Sequence, residues 1–84
     1  MSVRILYFAS LRETLGCAEE TLELPPAVAT VAALRNHLAA RGAAWAALET
    51  CRNLRFAVNH QVTGPEAPVA AGDEVAFFPP VTGG

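Results

Sequence analysis

Val3–Ala9 reads VRILYFA, and both alternating sets of its positions are largely apolar. Val3, Ile5 and Tyr7 fall on one side, Leu6 and Phe8 on the other, with Arg4 near the start. The β-branched and aromatic content predicts a strand, and the two apolar sides predict a central one. Ser10–Gly16 (SLRETLG) predicts a short helical turn or loop closed by Gly16. Glu20–Leu24 (ETLEL) alternates polar with apolar, as a half-buried strand beside the first does, and Pro25-Pro26 ends it. Thr30 is a candidate N-cap for a helix in which Val31, Leu34 and Leu38 recur at helical spacing, with Gly42 as its stop. Arg35, Asn36, His37 and Arg41 supply the polar side of that helix. Ala43–Glu49 predicts a second short helical piece with Trp45 and Leu48 inward. Leu54–His60 has strand composition, with Asn59 and His60 as turn candidates, and a short edge segment is expected near Gln61–Val62 or Val69. Ala71–Asp73 is a turn, and Glu74–Phe78 is the last strand, stopped by Pro79.

This order of elements predicts an α+β fold: a mixed sheet of four to five strands with one main helix packed on one face. A single helix covers a single face. It can bury Val3, Ile5, Tyr7, Val75 and Phe77. Leu6, Phe8 and Phe78 then point the other way. If the first and last strands are neighbours, these three form an apolar patch, the usual mark of an interaction site. The competing arrangement is a loop, or the Trp45 region, folded over them.

Composition narrows the classes. The sequence has 84 residues with 52% hydrophobic content, which suits one domain. Six basic residues stand against eight acidic ones, for a formal net charge of −2, and no basic stripe of the kind nucleic acid requires is visible. All six are arginine; lysine is absent. The first apolar run breaks at Ser10 and Arg12, short of a signal-peptide core, and no run is long enough for a membrane span. A cytoplasmic chain that contacts neither nucleic acid nor membrane is expected. Cys17 and Cys51 form no C-x-x-C and read as unpaired thiols in a reducing compartment, and with His37 and His60 they show no metal-ligand spacing.

The remaining feature is the end of the sequence, FFPPVTGG. Pro79-Pro80 fixes two φ angles and favours an extended, solvated course. Val81 and Thr82 are ordinary extended residues. Gly83 and Gly84 carry no side chain, so the backbone there is as thin as a polypeptide can be. A domain over 1–78 with an extended tail over 79–84 is therefore expected. Such a tail can enter a narrow channel and present a carboxylate inside another protein. A carboxylate is a poor electrophile until activated, for example as an acyl-adenylate. Sulfide attack on the activated group yields a thiocarboxylate, a soft sulfur nucleophile.

Three blocks give these features a family resemblance: ILYFASLRETLG (Ile5–Gly16), AVNHQ (Ala57–Gln61) and GDEVAFFPPVTGG (Gly72–Gly84). Over its whole length the chain resembles the small, sulfur-carrier subunits of molybdopterin synthase, which have the ubiquitin-like β-grasp fold. The resemblance implies that an E1-like enzyme spends ATP to adenylate Gly84, and that a sulfurtransferase system leaves 1-thioglycine there. It implies that the tail enters the large subunit of a heterotetrameric synthase, where two carriers supply the two sulfurs of the dithiolene built on a cyclic pyranopterin monophosphate. No permanently bound cofactor or metal is implied, and the chain is no enzyme by itself, since the catalytic groups are expected on the large subunit. Gly84 is the reacting residue and Gly83 part of the inserted tail. Phe8, Arg12, Phe78, Pro79, Pro80, Val81 and Thr82 match positions that meet partners. Sulfur donation to thiamine or to tRNA thiolation stays open, as do a ubiquitin-like modifier joined to proteins through Gly84 and a plain β-grasp interaction module. The missing lysine excludes only Lys-linked self-chains.

Overall fold

The computed structural model of the chain describes residues 2–51 and 53–80. At its centre β1 (Ser2–Tyr7) and β5 (Glu74–Phe78) run parallel, with Ile5 opposite Val75 and Tyr7 opposite Phe77. β2 (Glu19–Glu23) pairs antiparallel with β1, and β3 (Arg55–Val58) pairs antiparallel with β5. β4 (Gln61–Thr63) closes the order β2-β1-β5-β3-β4. The sheet is thus mixed, and the parallel central pair requires a long crossover, which the helical segments supply.

α1 (Ala9–Leu15) follows β1 directly and buries Leu11. Gly16 ends it in the left-handed region, φ 67°, donating its N–H to the Arg12 carbonyl at 3.0 Å. α2 (Val31–Ala39) starts where expected: Thr30 Oγ1 accepts the Ala33 N–H at 3.1 Å. Its C-terminus differs from expectation. The helix ends at Ala39, and 3₁₀-type bonds from Arg41 to Leu38 and from Gly42 to Ala39 finish the turn. Gly42, at φ 77°, instead reverses the chain into a 3₁₀ turn (Ala43–Ala46) that leads to α3 (Ala47–Thr50).

The core lies between α2 and one face of the sheet. Val3, Ile5, Tyr7, Val31, Leu34, Leu38, Val75 and Phe77 are all at most 1% exposed, as the strand and helix periodicities predict. Leu48 of α3 joins them, and Trp45 is half-buried, its ring meeting Tyr7 edge-on at 5.5 Å. Val69 is buried too, although it belongs to an irregular stretch rather than to the edge strand. β3 and β4 form a hairpin whose two loop residues, Asn59 and His60, both have positive φ (50° and 70°). Positive φ at both loop positions matches the twist of the flanking strands.

A polar cluster ties β2 to the crossover. Arg41 grips the Glu20 carboxylate with both terminal guanidinium nitrogens at 2.9 Å, and the Tyr7 hydroxyl donates to the same carboxylate at 3.0 Å. The guanidinium also lies over the Trp45 ring, 4.4 Å from its centroid. Hydrogen bonding from Arg41 lowers the Glu20 pKa, burial opposes it, and Tyr7 adds to the lowering. Burial foremost, with the Glu20 charge behind it, raises the Tyr7 pKa, so the hydroxyl remains a donor. A carboxylate whose folded pKa is depressed stabilises the fold above its unfolded value, about 4.3, and that contribution is lost as pH falls through the folded value. Glu20→Gln is therefore expected to cost about 1–2 kcal/mol at pH 7. Urea unfolding at neutral pH and at a pH below the ordinary carboxylate range should show the gap between variant and parent narrowing at the lower pH. An equal gap at both pH values contradicts the assignment.

Candidate functional site

The sheet face opposite α2 carries no helix among the described residues. Strand register shows what it presents. Leu6, Ala76, Ala57 and Val62 lie across from one another on β1, β5, β3 and β4, in a row that crosses the sheet. On the tail side of this row come Phe8, Phe78 and Arg55, the last directly paired with Phe78. On the other side are Arg4 and Glu74, with His60 Nε2 3.8 Å from a Glu74 carboxylate oxygen. Leu6, Ala57, Ala76 and the two phenylalanines, together with His60 and Glu74, line a cavity of about 230 Å³.

Period-2 alternation on β5 sets the division. Val75 and Phe77 are fully buried toward α2, whereas Glu74, Ala76 and Phe78 face the open side. Phe8 lies just beyond β1, donates its N–H to the Phe77 carbonyl at 3.2 Å, and is 47% exposed. Phe78 corrects one expectation: it is half-buried rather than largely exposed. It sits mid-sheet, and the neighbouring strands on both sides cover its flanks. The Trp45 region packs against Tyr7 on the core side and leaves the open face alone. Arg12 is exposed on α1, one turn after Phe8. Pro79 and Pro80 continue from β5, half-buried and outside any strand. Val81, Thr82, Gly83 and Gly84 lie outside the described residues.

Reading the sequence for large apolar side chains missed the smaller and charged members of this face. Ala57, Ala76, Glu74 and Arg55 are found by extending the same alternation, since they stand two positions apart on β3 and on β5. Val62, 72% exposed, becomes part of the face only through its pairing with Ala57. The turn blocks also acquire a purpose. Asn59 accepts the Glu74 N–H through Oδ1 at 3.0 Å and donates through Nδ2 to Asp73 at 3.0 Å. The Asp73 carboxylate accepts the Ala70 N–H at 2.8 Å, and its carbonyl accepts the Arg4 N–H at 3.0 Å. The AVNHQ and GDEV segments thus anchor the start of β5 between β1 and the hairpin.

The described residues contain no group of three or more His, Cys, Asp or Glu able to hold a metal ion, and no helix long and apolar enough to cross a membrane. No disulfide joins Cys17 to Cys51. The Cys17 thiol contacts the Glu19 carbonyl at 3.4 Å.

A five-stranded mixed sheet with one main helix packed across one face defines the ubiquitin-like β-grasp class of α+β proteins. SAMP1 from Haloferax volcanii superposes with a TM-score of 0.79 at 29% identity, over the whole of both chains. The model of the ThiS family matches residues 5–84, and the chain belongs to that family. In sequence it is 43% identical to the molybdopterin synthase sulfur carrier subunit of Escherichia coli (strain K12), covering 98% of this chain and 99% of that one. A chain of the protein–protein complex of subunits 1 and 2 of the molybdopterin-converting factor from Helicobacter pylori 26695 shares the fold, with a TM-score of 0.67 at 21% identity over both full chains.

Proposed function

We propose that the chain is the sulfur carrier of molybdopterin synthesis and acts through its C-terminal carboxylate. The observation that carries this reading is the full-length similarity to molybdopterin synthase sulfur carrier subunits, with Pro79 and Pro80 following β5 beside an open apolar sheet face and Val-Thr-Gly-Gly next in the sequence. Activation begins when a Gly84 carboxylate oxygen attacks the α-phosphorus of ATP and pyrophosphate departs, on an E1-like adenylating enzyme. Sulfide delivered by a sulfurtransferase system then adds to the acyl carbon and loses its proton. AMP leaves, and the product is 1-thioglycine at position 84.

The chain's own contribution is delivery. Phe8, Phe78 and the apolar row behind them dock on the large subunit, with Arg12 beside them. Residues 79–82 connect the face to Gly83 and Gly84, which can pass where a side chain cannot. Catalytic groups that act on the pyranopterin belong to the large subunit, two copies of each subunit forming a heterotetramer. The chain works in the cytoplasm and holds no cofactor of its own.

Intact mass of the protein isolated from cells tests the chemistry. The expected species has one oxygen replaced by sulfur. A covalent adduct the size of a second protein identifies a modifier instead, and an unaltered mass under all conditions identifies a plain interaction module. Incubation of the thiocarboxylate form with the large subunit and pyranopterin precursor separates this pathway from other thiolations: molybdopterin should form.

A further inference from the structure

Arginines that face other chains can be separated from those that serve this one. Arg4 is paired with Glu19 and Arg41 with Glu20, while Arg35 lies over the Phe56 ring at 5.9 Å. Arg12 and Arg55 make no ion pair among the described residues, and both are exposed. Their positions share one end of the molecule. Arg55 is paired in register with Phe78, the last residue of β5, and Arg12 is one turn into the helix that begins beside Phe8. β5, which lies between β1 and β3, ends at Phe78 on this side. The opposite end of the same face carries the Glu74 carboxylate, with His60 beside it and Arg4 there already paired with Glu19.

The cavity between these ends, about 230 Å³, is smaller than the ~300–1,000 Å³ of small-molecule sites and suits side chains of a docking protein. Apolar contact is non-directional, so the patch by itself permits several rotations of a partner. A tail that must thread a channel permits only one. Unlike charges at the two ends of the face remove that ambiguity, because a rotated partner meets like charge.

We propose that Arg55 is a specificity-determining residue that pairs across the interface with a carboxylate of the large subunit, in the rim where the tail enters. The inference rests on the sulfur-carrier reading and names the surface chemistry that its partner offers. A guanidinium suits the position because it can grip a carboxylate with two parallel hydrogen bonds and so fixes angle as well as distance. Glu74 at the far end meets a cationic group.

Calorimetric titration of the large subunit with the full-length chain, Arg55→Glu and Arg55→Lys tests this, at about 50 mM and about 500 mM salt. Thermal melts of the free proteins accompany it. Arg55→Glu should bind at least about tenfold more weakly at low salt, with the difference narrowing severalfold at high salt. Arg55→Lys should stay within a few-fold of the parent, and both variants should melt as the parent does. Parent-like binding by Arg55→Glu at low salt overturns the inference and leaves the carrier reading intact. Failure of the parent itself to bind overturns both. Loss of a self-associated dimer in Arg55→Glu, with large-subunit affinity unchanged, also overturns it, because the face then belongs to a second copy of this chain.

Discussion

A chain that lacks Gly84 is expected to lose sulfur transfer altogether while melting at the temperature of the parent. The two halves of this result have separate causes. Among the described residues the buried side chains run from Val3 to Phe77, seven positions before Gly84, and terminal residues outside a core and its hydrogen bonds contribute little to stability. Chemistry, in contrast, concerns a single acyl carbon. Deletion moves that carbon back by one residue, about 3.5 Å of extended chain, and a displacement of about 1 Å is enough to cost about 10²-fold in a positioned reaction. One residue added after Gly84 should do the same from the other direction. Gly83→Val should leave the melting temperature alone and sharply slow adenylation or transfer, since a β-branched side chain widens the tail at its thinnest point. Purified activating enzyme, large subunit and precursor provide the assay. Full molybdopterin formation by a chain ending at Gly83 overturns the carrier mechanism.

Most of the scaffold was legible in the sequence because periodicity reports burial directly. The alternation of Val75 and Phe77 against Ala76 and Phe78 located the two faces of β5, and the spacing of Val31, Leu34 and Leu38 located the buried side of α2. Local rules were weaker where several signals compete. Gly42 looked like a helix stop, yet α2 ends at Ala39, since 3₁₀-type bonds can terminate a helix before a glycine is reached. The candidate site was half legible. Large apolar residues on an uncovered face announce themselves. Val62 and His60 do not, because their membership depends on which strands lie side by side, a property of topology that no local pattern encodes. The grip of Arg41 on Glu20 spans 21 residues and is invisible for the same reason.

The contrast between Phe77 and Phe78 turns this division of faces into numbers. Phe77 is 0% exposed, meets Phe56 edge-on at 5.7 Å and stacks on Tyr7 at 6.1 Å. Its truncation to alanine removes a fully buried ring and leaves a cavity, which costs about 3–5 kcal/mol. A domain of this size has only about 4–13 kcal/mol to lose, so the melting temperature should fall by more than about 10 °C. Phe78, one residue on, is half-buried on the open face. Phe78→Ala should cost the free domain only about 1 kcal/mol. Its larger effect belongs to the complex, where completing the burial of a phenylalanine contributes up to about 1.5–3 kcal/mol. That corresponds to roughly one to two decades of affinity for the large subunit. Phe8→Ala should follow Phe78→Ala, since both rings line the same cavity. Thermal melts and calorimetric binding on the single variants decide the matter. A Phe78→Ala chain that melts early and binds normally reassigns Phe78 to the core and removes it from the docking face.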